Sequence, residues 1–330
     1  MRSLPVLAGL LLLSVPSVAS AEPPLRAVAD VPLPGVTGRI DHMALDPAGR
    51  RLFVAALGNN TLEVVDLREG KRTRSVTGFE EPQGLAFARG SNRLAVANGG
   101  DGSCVALDGE SLDRVATIDL GDDADNVRYD AATGRLFVGH GEGAIAILDA
   151  GFRRIGDVPV GGHPESFQLE ADGRRMFVNV PSAREVAVVD LERRAVVGRW
   201  TLRDAADNFP MALDEARARL WIGCRKPSRL VGIDTRSGRA VASLHVDGDP
   251  DDVFVDARRG RVYVACGAGF VDVFGDEGSG AYRSIARVPT AAGARTALFA
   301  PETGRLYVAA PRREGRDAFV RIFEAPPAGR

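Results

Sequence analysis

Acidic side chains recur at one fixed point of a repeated pattern in this chain. The point lies ten residues before each segment of the type Arg-Leu-Phe-Val, and it is occupied in chain order by Asp41, Gln83, Asp125, Glu165, Phe209, Asp251 and Arg295. The next position adds His42, Asn126 and Asp252. Grouped carboxylates attract cations and raise one another's pKa. Their oxygens also suit Ca²⁺ or Mg²⁺, and a divalent-ion site would use Asp41, Asp125, Glu165 and Asp252.

The imidazole and thiol groups give a weaker signal for a metal. All four histidines map to the same end of the repeats: His42, His140, His163 and His245. Zinc or copper needs three or four ligands that converge, whereas these histidines come from different repeats and have no close His-x-x-His spacing. The sequence therefore favours no metal site built from histidines.

The cysteines are few and odd in number: Cys104, Cys224 and Cys266. At least one must be unpaired. Cys224 and Cys266 fall on strands that diverge from each other, and a disulfide requires Cα atoms within about 7 Å. We expect free thiols, with Cys104 packed in a strand.

Sequence motifs of several enzyme classes are missing. The chain has no Gly-x-Ser-x-Gly, His-Glu-x-x-His or Cys-x-x-Cys-His segment, and no Gly-Lys-Ser/Thr phosphate loop. No catalytic residue is assigned from the sequence.

Seven copies of one unit position these side chains. The first copy, at residues 51–67, reads RLFVAALGNNTLEVVDL, a strand, a turn and a second strand that ends in Asp. The copies begin at residues 51, 93, 135, 175, 219, 261 and 305. A period of about 40–45 residues with four short strands is typical of a β-propeller. The final Asp recurs in five copies and is expected to bind backbone amides of the next turn, whereas the sixth and seventh copies end in Phe274 and Phe323.

The first strand of the chain has no repeat of its own. Residues 25–35, LRAVADVPLPG, resemble the outer strand at 152–162, FRRIGDVPVGG, and the seventh copy lacks an outer strand. The N-terminal strand is therefore predicted to close the ring in the last blade, which leaves no free edge. The sequence predicts an all-β, seven-bladed propeller of four-stranded antiparallel blades over residues 22–326, with a short tail at 327–330.

Blade geometry places the polar columns at one mouth of the central channel, because the starts of the inner strands share a face. The expected ligand-binding residues there are Asp41, His42, Gln83, Asp125, Asn126, Glu165, Asn208, Asp252 and Arg295. The alternative is that these groups only hydrate the channel and cap strand ends. Deeper in the channel, Arg128 and Gln168 interrupt apolar columns. Arg128 could pair with Asp125 or Glu165 or hold an anion, and the excess of acids favours internal pairing.

The first 21 residues have the features of a signal peptide. Arg2 precedes an apolar run, and Ala19-Ser20-Ala21 forms a small-residue cleavage site. We expect cleavage after Ala21 and a periplasmic or secreted protein with no spanning segment. The formal net charge is −2 for the whole chain and becomes −3 once Arg2 is removed. This balance gives no support for nucleic-acid binding, and a monomer is expected.

The repeat resembles the YVTN-type repeat of the YncE-like seven-bladed propellers, on the segments DHMALDPAGRRLFVAALGNNTLEVVDL and HPESFQLEADGRRMFVNVP. The resemblance covers residues 25–325 and implies an exported scaffold that binds a small molecule or a protein at the channel face. The alternative is a divalent-metal-dependent hydrolase or lactonase that uses the same mouth. The cofactor is unidentified, with a divalent cation as the candidate.

Overall fold

Twenty-eight β-strands build the part of the chain that the computed structural model describes, residues 22–278 and 280–327. The expected signal peptide, residues 1–21, lies outside the described residues, as do the last three residues of the expected tail. Two short 3₁₀ turns, Leu57–Asn59 and Pro181–Ala183, interrupt strand connections. Within the described ranges, no helix is long and apolar enough to cross a membrane.

The strands form seven antiparallel four-stranded sheets, as the repeat predicts. The first strand of the chain is β1 (Arg26–Leu33). Blades 1 to 3 contain β2 (Met43–Leu45), β3 (Arg51–Ala56), β4 (Thr61–Asp66) and β5 (Lys71–Val76); β6 (Pro82–Ala88), β7 (Arg93–Asn98), β8 (Ser103–Asp108) and β9 (Arg114–Asp119); and β10 (Val127–Asp130), β11 (Arg135–His140), β12 (Ala144–Leu148) and β13 (Arg154–Pro159). Blades 4 to 6 contain β14 (Phe167–Leu169), β15 (Arg175–Val180), β16 (Glu185–Asp190) and β17 (Ala195–Thr201); β18 (Ala206–Asp214), β19 (Arg219–Lys226), β20 (Ser228–Asp234) and β21 (Ala240–His245); and β22 (Pro250–Asp256), β23 (Arg261–Cys266), β24 (Phe270–Asp276) and β25 (Tyr282–Pro289). Blade 7 combines β26 (Thr296–Ala300), β27 (Arg305–Ala310) and β28 (Ala318–Glu324) with β1.

Ring closure by the N-terminal strand is confirmed. β1 pairs antiparallel with β28, with Val31 opposite Val320 and Leu33 opposite Ala318. Val31 and Leu33 are buried in an apolar cluster that joins blade 7 to blade 1. In the described residues seven such clusters lie between neighbouring blades, one at each junction. Burial of apolar surface between blades is therefore the main source of stability of the ring.

The turns follow the side-chain chemistry that the repeats predict. Asp66 Oδ1 accepts hydrogen bonds from the backbone N–H groups of Arg68 and Glu69, at 2.8 and 2.9 Å, and the equivalent Asp of blades 2 to 5 binds its own turn in the same way. Blade 6 differs from the prediction. Its strand β24 runs two residues beyond Phe274, and Asp276 Oδ1 accepts the N–H of Gly278. The capping residue of this blade is displaced rather than lost.

Inner-strand residues two positions after the polar column are apolar and buried in all seven blades: Met43, Leu85, Val127, Phe167, Met211, Val253 and Ala297. They fix the inner strands against one another and thereby hold the polar residues before them at one end of the channel. Trp221 of blade 5 lies wholly in the core. Its ring contacts the Tyr282 ring at 4.7 Å between centroids.

Candidate cation site at the channel mouth

The inner strands of the seven blades begin around a small polar cavity at one end of the channel. Six of the nine predicted ligand-binding residues line it: Asp41, His42, Asp125, Asn126, Glu165 and Asp252. Asp41, Asp125 and Asn126 are buried and the other three are partly buried. The repeat register thus brings together side chains that are up to about 210 residues apart in the chain.

Two of the remaining predicted residues have structural partners instead. Asn208 is fully buried, and its amide donates to Asn179 Oδ1 and to the carbonyl oxygen of Glu185, each at 3.0 Å. Gln83 donates to Asp123 Oδ1 at 3.0 Å. Asn208 therefore ties blade 5 to blade 4, and Gln83 ties blade 2 to blade 3.

Arg295 is the third predicted residue outside the cavity lining, and it belongs to a compact ion-pair network. Its guanidinium contacts Asp249 at 2.8 Å and Asp251 at 2.9 Å. Arg225 contacts the same two carboxylates and stacks over Phe209, 4.1 Å from the ring centroid. These two arginines neutralise Asp249 and Asp251 at the start of blade 6. Sequence reasoning missed Arg225, because it lies at the end of a second strand.

Asp41 forms a second neutralised group with Arg39 and His42. Its carboxylate lies 2.5 Å from an Arg39 guanidinium nitrogen and 2.9 Å from His42 Nδ1. Burial alone would raise the pKa of Asp41, but the His42 imidazolium and the nearby arginines lower it to about 2. Burial disfavours charge on the His42 ring, yet the surrounding carboxylates, first among them Asp41, raise its pKa to about 9. This is a stable ion pair at neutral pH.

Asp125, Glu165 and His163 form a cluster at the mouth, in which one ligand atom from each residue lies within 4.8 Å of the other two. Among the described residues no arginine lies within 4.0 Å of either carboxylate, although the charge of Arg225 acts on Glu165. Asp125 Oδ1 is buried and has no hydrogen-bond partner in that part of the chain. The sequence analysis mapped His163 to this end of the repeats but left it out of the predicted ligands, because the histidines come from different repeats. The His-Pro-Glu spacing was the available signal, since residues i and i+2 of an extended chain point to the same side.

Burial and mutual repulsion raise the pKa values of the carboxyl groups at the mouth. Burial, followed by the charge of Asp125, raises the pKa of Glu165 to about 8. Burial raises the pKa of Asp125 to about 6 and that of Asp252 to about 7, although the His42 imidazolium acts in the opposite direction on both. Carboxyl groups in this state exchange a proton readily for a cation.

The remaining predicted metal ligands are less available. Asp41 is engaged by Arg39 and His42. Asp252 Oδ2 accepts the backbone N–H of Ala297 at 2.7 Å. The structure therefore narrows the predicted set of Asp41, Asp125, Glu165 and Asp252 to Asp125 and Glu165, and adds His163.

The structure also shows the partners of Arg128, which the sequence analysis left open. Arg128 lines the channel as expected, but it donates to the Val127 carbonyl at 2.9 Å and to Ser166 Oγ at 3.2 Å. Across the described residues, no carboxylate lies within 4.0 Å of its guanidinium. The expectation that it pairs with Asp125 or Glu165 is wrong, because both carboxyl groups gather nearer the mouth.

The three cysteines are unpaired and buried, as expected. Burial raises the pKa of Cys104 and of Cys224 to about 12. His140 is also buried, and its Nε2 lies 3.5 Å from Asp157. Burial lowers the pKa of His140. Neither the thiols nor this imidazole lines the cavity at the mouth.

The raised carboxyl pKa values predict that the folded protein becomes less stable as the pH rises. Glu165 has a pKa of about 8 in the folded chain against 4.5 for the free side chain, so the folded state binds more protons between these values and loses stability as pH rises through them. Asp125 and Asp252 act in the same direction. In metal-free buffer we expect Tm to fall by about 5 °C from pH 5 to pH 8, as measured by calorimetry.

Glu165→Gln keeps the shape of the side chain without its charge, so its Tm should fall less over the same interval. Glu110→Gln, at a side chain that is 88% exposed, is the matched control and should follow the wild type. A wild-type Tm that rises from pH 5 to pH 8 would contradict the burial of these protonated carboxyl groups.

Comparisons with known proteins give the fold. No protein-family model and no curated protein matches the chain. Among solved structures, a chain of Kuenenia stuttgartiensis Hydrazine Synthase is similar, with a TM-score of 0.75 and 17% sequence identity over 86% of this chain and 99% of that chain. At this identity the likeness supports the fold alone, and with the seven four-stranded sheets it establishes a seven-bladed β-propeller.

Proposed function

We propose that this chain is an exported, monomeric β-propeller of the YncE-like kind whose channel mouth binds a cation. The observation that carries the proposal is the cluster of Asp125, His163 and Glu165, in which Asp125 Oδ1 is buried and has no hydrogen-bond partner among the residues that the structure describes. Buried polar atoms in proteins are nearly always satisfied. A cation that binds here would satisfy Asp125 and relieve the repulsion between the two carboxyl groups.

The donor set indicates which cations fit. Two carboxylates and one imidazole suit Zn²⁺ or Mn²⁺, whereas Ca²⁺ and Mg²⁺ prefer oxygen ligands alone. Divalent first-row affinities commonly place Zn²⁺ above Mn²⁺. We therefore expect Zn²⁺ to bind most tightly, then Mn²⁺, with Ca²⁺ and Mg²⁺ weaker.

Calorimetric titration of the metal-free protein with the chloride salts of Zn²⁺, Mn²⁺, Ca²⁺ and Mg²⁺ tests the proposal. The expected result is one Zn²⁺ per chain, release of protons on binding, and a rise in Tm that is larger at pH 8 than at pH 6, because the carboxyl groups must lose their protons. Absence of stoichiometric binding and of any thermal shift with the four metals would overturn it.

A hydrolase or lactonase is the second candidate function. Three protein ligands leave coordination positions open, as in catalytic rather than structural zinc sites, and a bound ion would there polarise a substrate or lower the pKa of a water molecule. Hydrolysis of esters, lactones or phosphoesters by the Zn²⁺- or Mn²⁺-loaded protein would support this candidate if chelation abolishes it. A metal-loaded protein without turnover on this panel remains a binding module.

A further inference from the structure

The other end of the central channel is a separate and larger space. Past the level of His42 and Asp252 the channel widens into a cavity of about 500 Å³ that ends at the exposed side chains of Arg89 and Glu302. Side chains such as Leu45, Met43, Leu85, Phe254 and Leu298 line its walls. Small-molecule sites in proteins commonly have this volume and combine apolar walls with polar groups that orient the ligand, and the polar groups here include Arg128, Gln168 and Asp252.

Arg128 is the principal polar group on the wall of this cavity. Its hydrogen bonds go to the Val127 carbonyl and to Ser166 Oγ, both neutral acceptors, and the guanidinium lies 5.5 Å from the centroid of the Phe167 ring. A guanidinium carries five N–H donors, so donors remain available after these contacts.

Arg128 differs from the arginines of the mouth in having no carboxylate partner among the described residues. Arg39, Arg225 and Arg295 each contact at least one carboxylate, whereas Arg128 has none within the described ranges of the chain. Burial lowers the pKa of Arg128, although the charges of Asp252 and Asp125 act in the opposite direction. A buried cation without a paired anion costs free energy that an anionic ligand would recover.

We propose that the wide end of the channel binds a small organic acid, whose carboxylate pairs with Arg128 and whose apolar body packs against Leu45, Phe254 and Leu298. A guanidinium binds a carboxylate in bidentate geometry, which fixes the orientation of the ligand as well as adding affinity. The cavity volume accommodates a chain or ring of moderate size behind the carboxylate. This site lies beyond the cation site, and the two cavities share His42, Ser166 and Asp252 in their walls.

The other titratable groups on the cavity wall determine how the binding of an organic acid depends on pH. They are His42, Arg89, Tyr129, Asp252 and Glu302. Asp252 is the nearest like charge for an incoming carboxylate, and burial raises its pKa to about 7. His42 stays cationic across this range, and the exposed Arg89 and Glu302 at the rim oppose each other. Organic acids should therefore bind more tightly at pH 6 than at pH 8.

Calorimetric titration with straight-chain carboxylates of four to ten carbons, alongside primary alcohols of equal length, tests the proposal. Affinity of the acids should increase with chain length until the cavity is full, since each buried methylene contributes about 0.8 kcal/mol. Arg128→Met should lower acid affinity about 10- to 100-fold, because hydrogen bonds to charged groups contribute about 1.5–3 kcal/mol, and it should leave alcohol affinity unchanged. Arg229→Met, at a partly buried arginine of β20 that donates to Ser243 Oγ and lies outside the cavity lining, is the charge-matched control and should bind as the wild type does.

Two further variants keep the test decisive. Leu298→Trp fills the cavity and should weaken both acids and alcohols, even if Arg128→Met does not fold. Asp125→Asn removes a proposed cation ligand at the mouth and should leave acid binding intact, which separates failure of one site from failure of the other. The proposal is overturned if no acid binds the wild type at millimolar concentration, if Arg128→Met binds acids equally well, or if Leu298→Trp does not weaken them.

Discussion

Asp125→Asn is expected to lower the affinity of the protein for Zn²⁺ and Mn²⁺ by more than about 100-fold, since changes to residues that only hydrogen-bond a metal ligand already cost about 10- to 100-fold. The substitution preserves the size of the side chain but removes its negative charge, and a neutral amide is a much weaker ligand for these ions. It also removes the like charge beside Glu165, which is the second cause of the raised pKa of that group. Calorimetric titration at pH 7.5 measures both the affinity and the number of protons released.

Two matched variants identify which residues form the site. His163→Gln should weaken Zn²⁺ binding to a similar extent, because His163 belongs to the same cluster. Asp252→Asn should change it by less than about 10-fold, because its carboxylate already accepts the N–H of Ala297 and contributes only through its charge. Equal losses in Asp252→Asn and Asp125→Asn would instead favour the four-carboxylate set that the sequence alone suggests.

Local sequence patterns predict most of this fold because every blade repeats the same turn chemistry and apolar alternation. The second strands start at Arg51, Arg93, Arg135, Arg175, Arg219, Arg261 and Arg305, the residues at which the repeat begins. The outer turn of blade 6 escaped prediction since its strand is two residues longer, so the capping Asp276 lies outside the repeat register. An insertion in a surface turn costs little, and therefore leaves no mark on the buried pattern.

The sequence could predict the candidate cation site only from the position of each residue within its repeat. That position placed Asp41, Asp125, Glu165 and Asp252 at one mouth of the channel, because equivalent positions of a closed ring face the same way. It could not show which acids the arginines neutralise, since Arg225 reaches the mouth from a second strand and long side chains choose among several partners. Ion pairing, rather than position in the repeat, thus distinguishes the free carboxyl groups from the satisfied ones.

Closure of the ring by the first strand makes a strong prediction about stability. Leu33→Asp is expected to lower the free energy of unfolding by more than about 4 kcal/mol, because it replaces a buried apolar group with a charge that has no partner. Leu33 is fully buried at the junction between blade 7 and blade 1, opposite Ala318 on β28. Urea unfolding at pH 7, followed by tryptophan fluorescence, measures the change in midpoint.

The same strand supplies the control, because its two faces differ in burial. Val28 lies at the bulge in the pairing of β1 with β28 and is 44% exposed, so Val28→Asp should change the unfolding free energy by less than about 1 kcal/mol. In the sheet of blade 7, β1 is the outer strand and covers the edge of β28. Loss of this pairing would expose the edge of β28 and favour association between chains. We therefore expect Leu33→Asp, and not Val28→Asp, to form oligomers on size-exclusion chromatography. Equal stability and equal monomer content in the two variants would show that the ring does not depend on this seam.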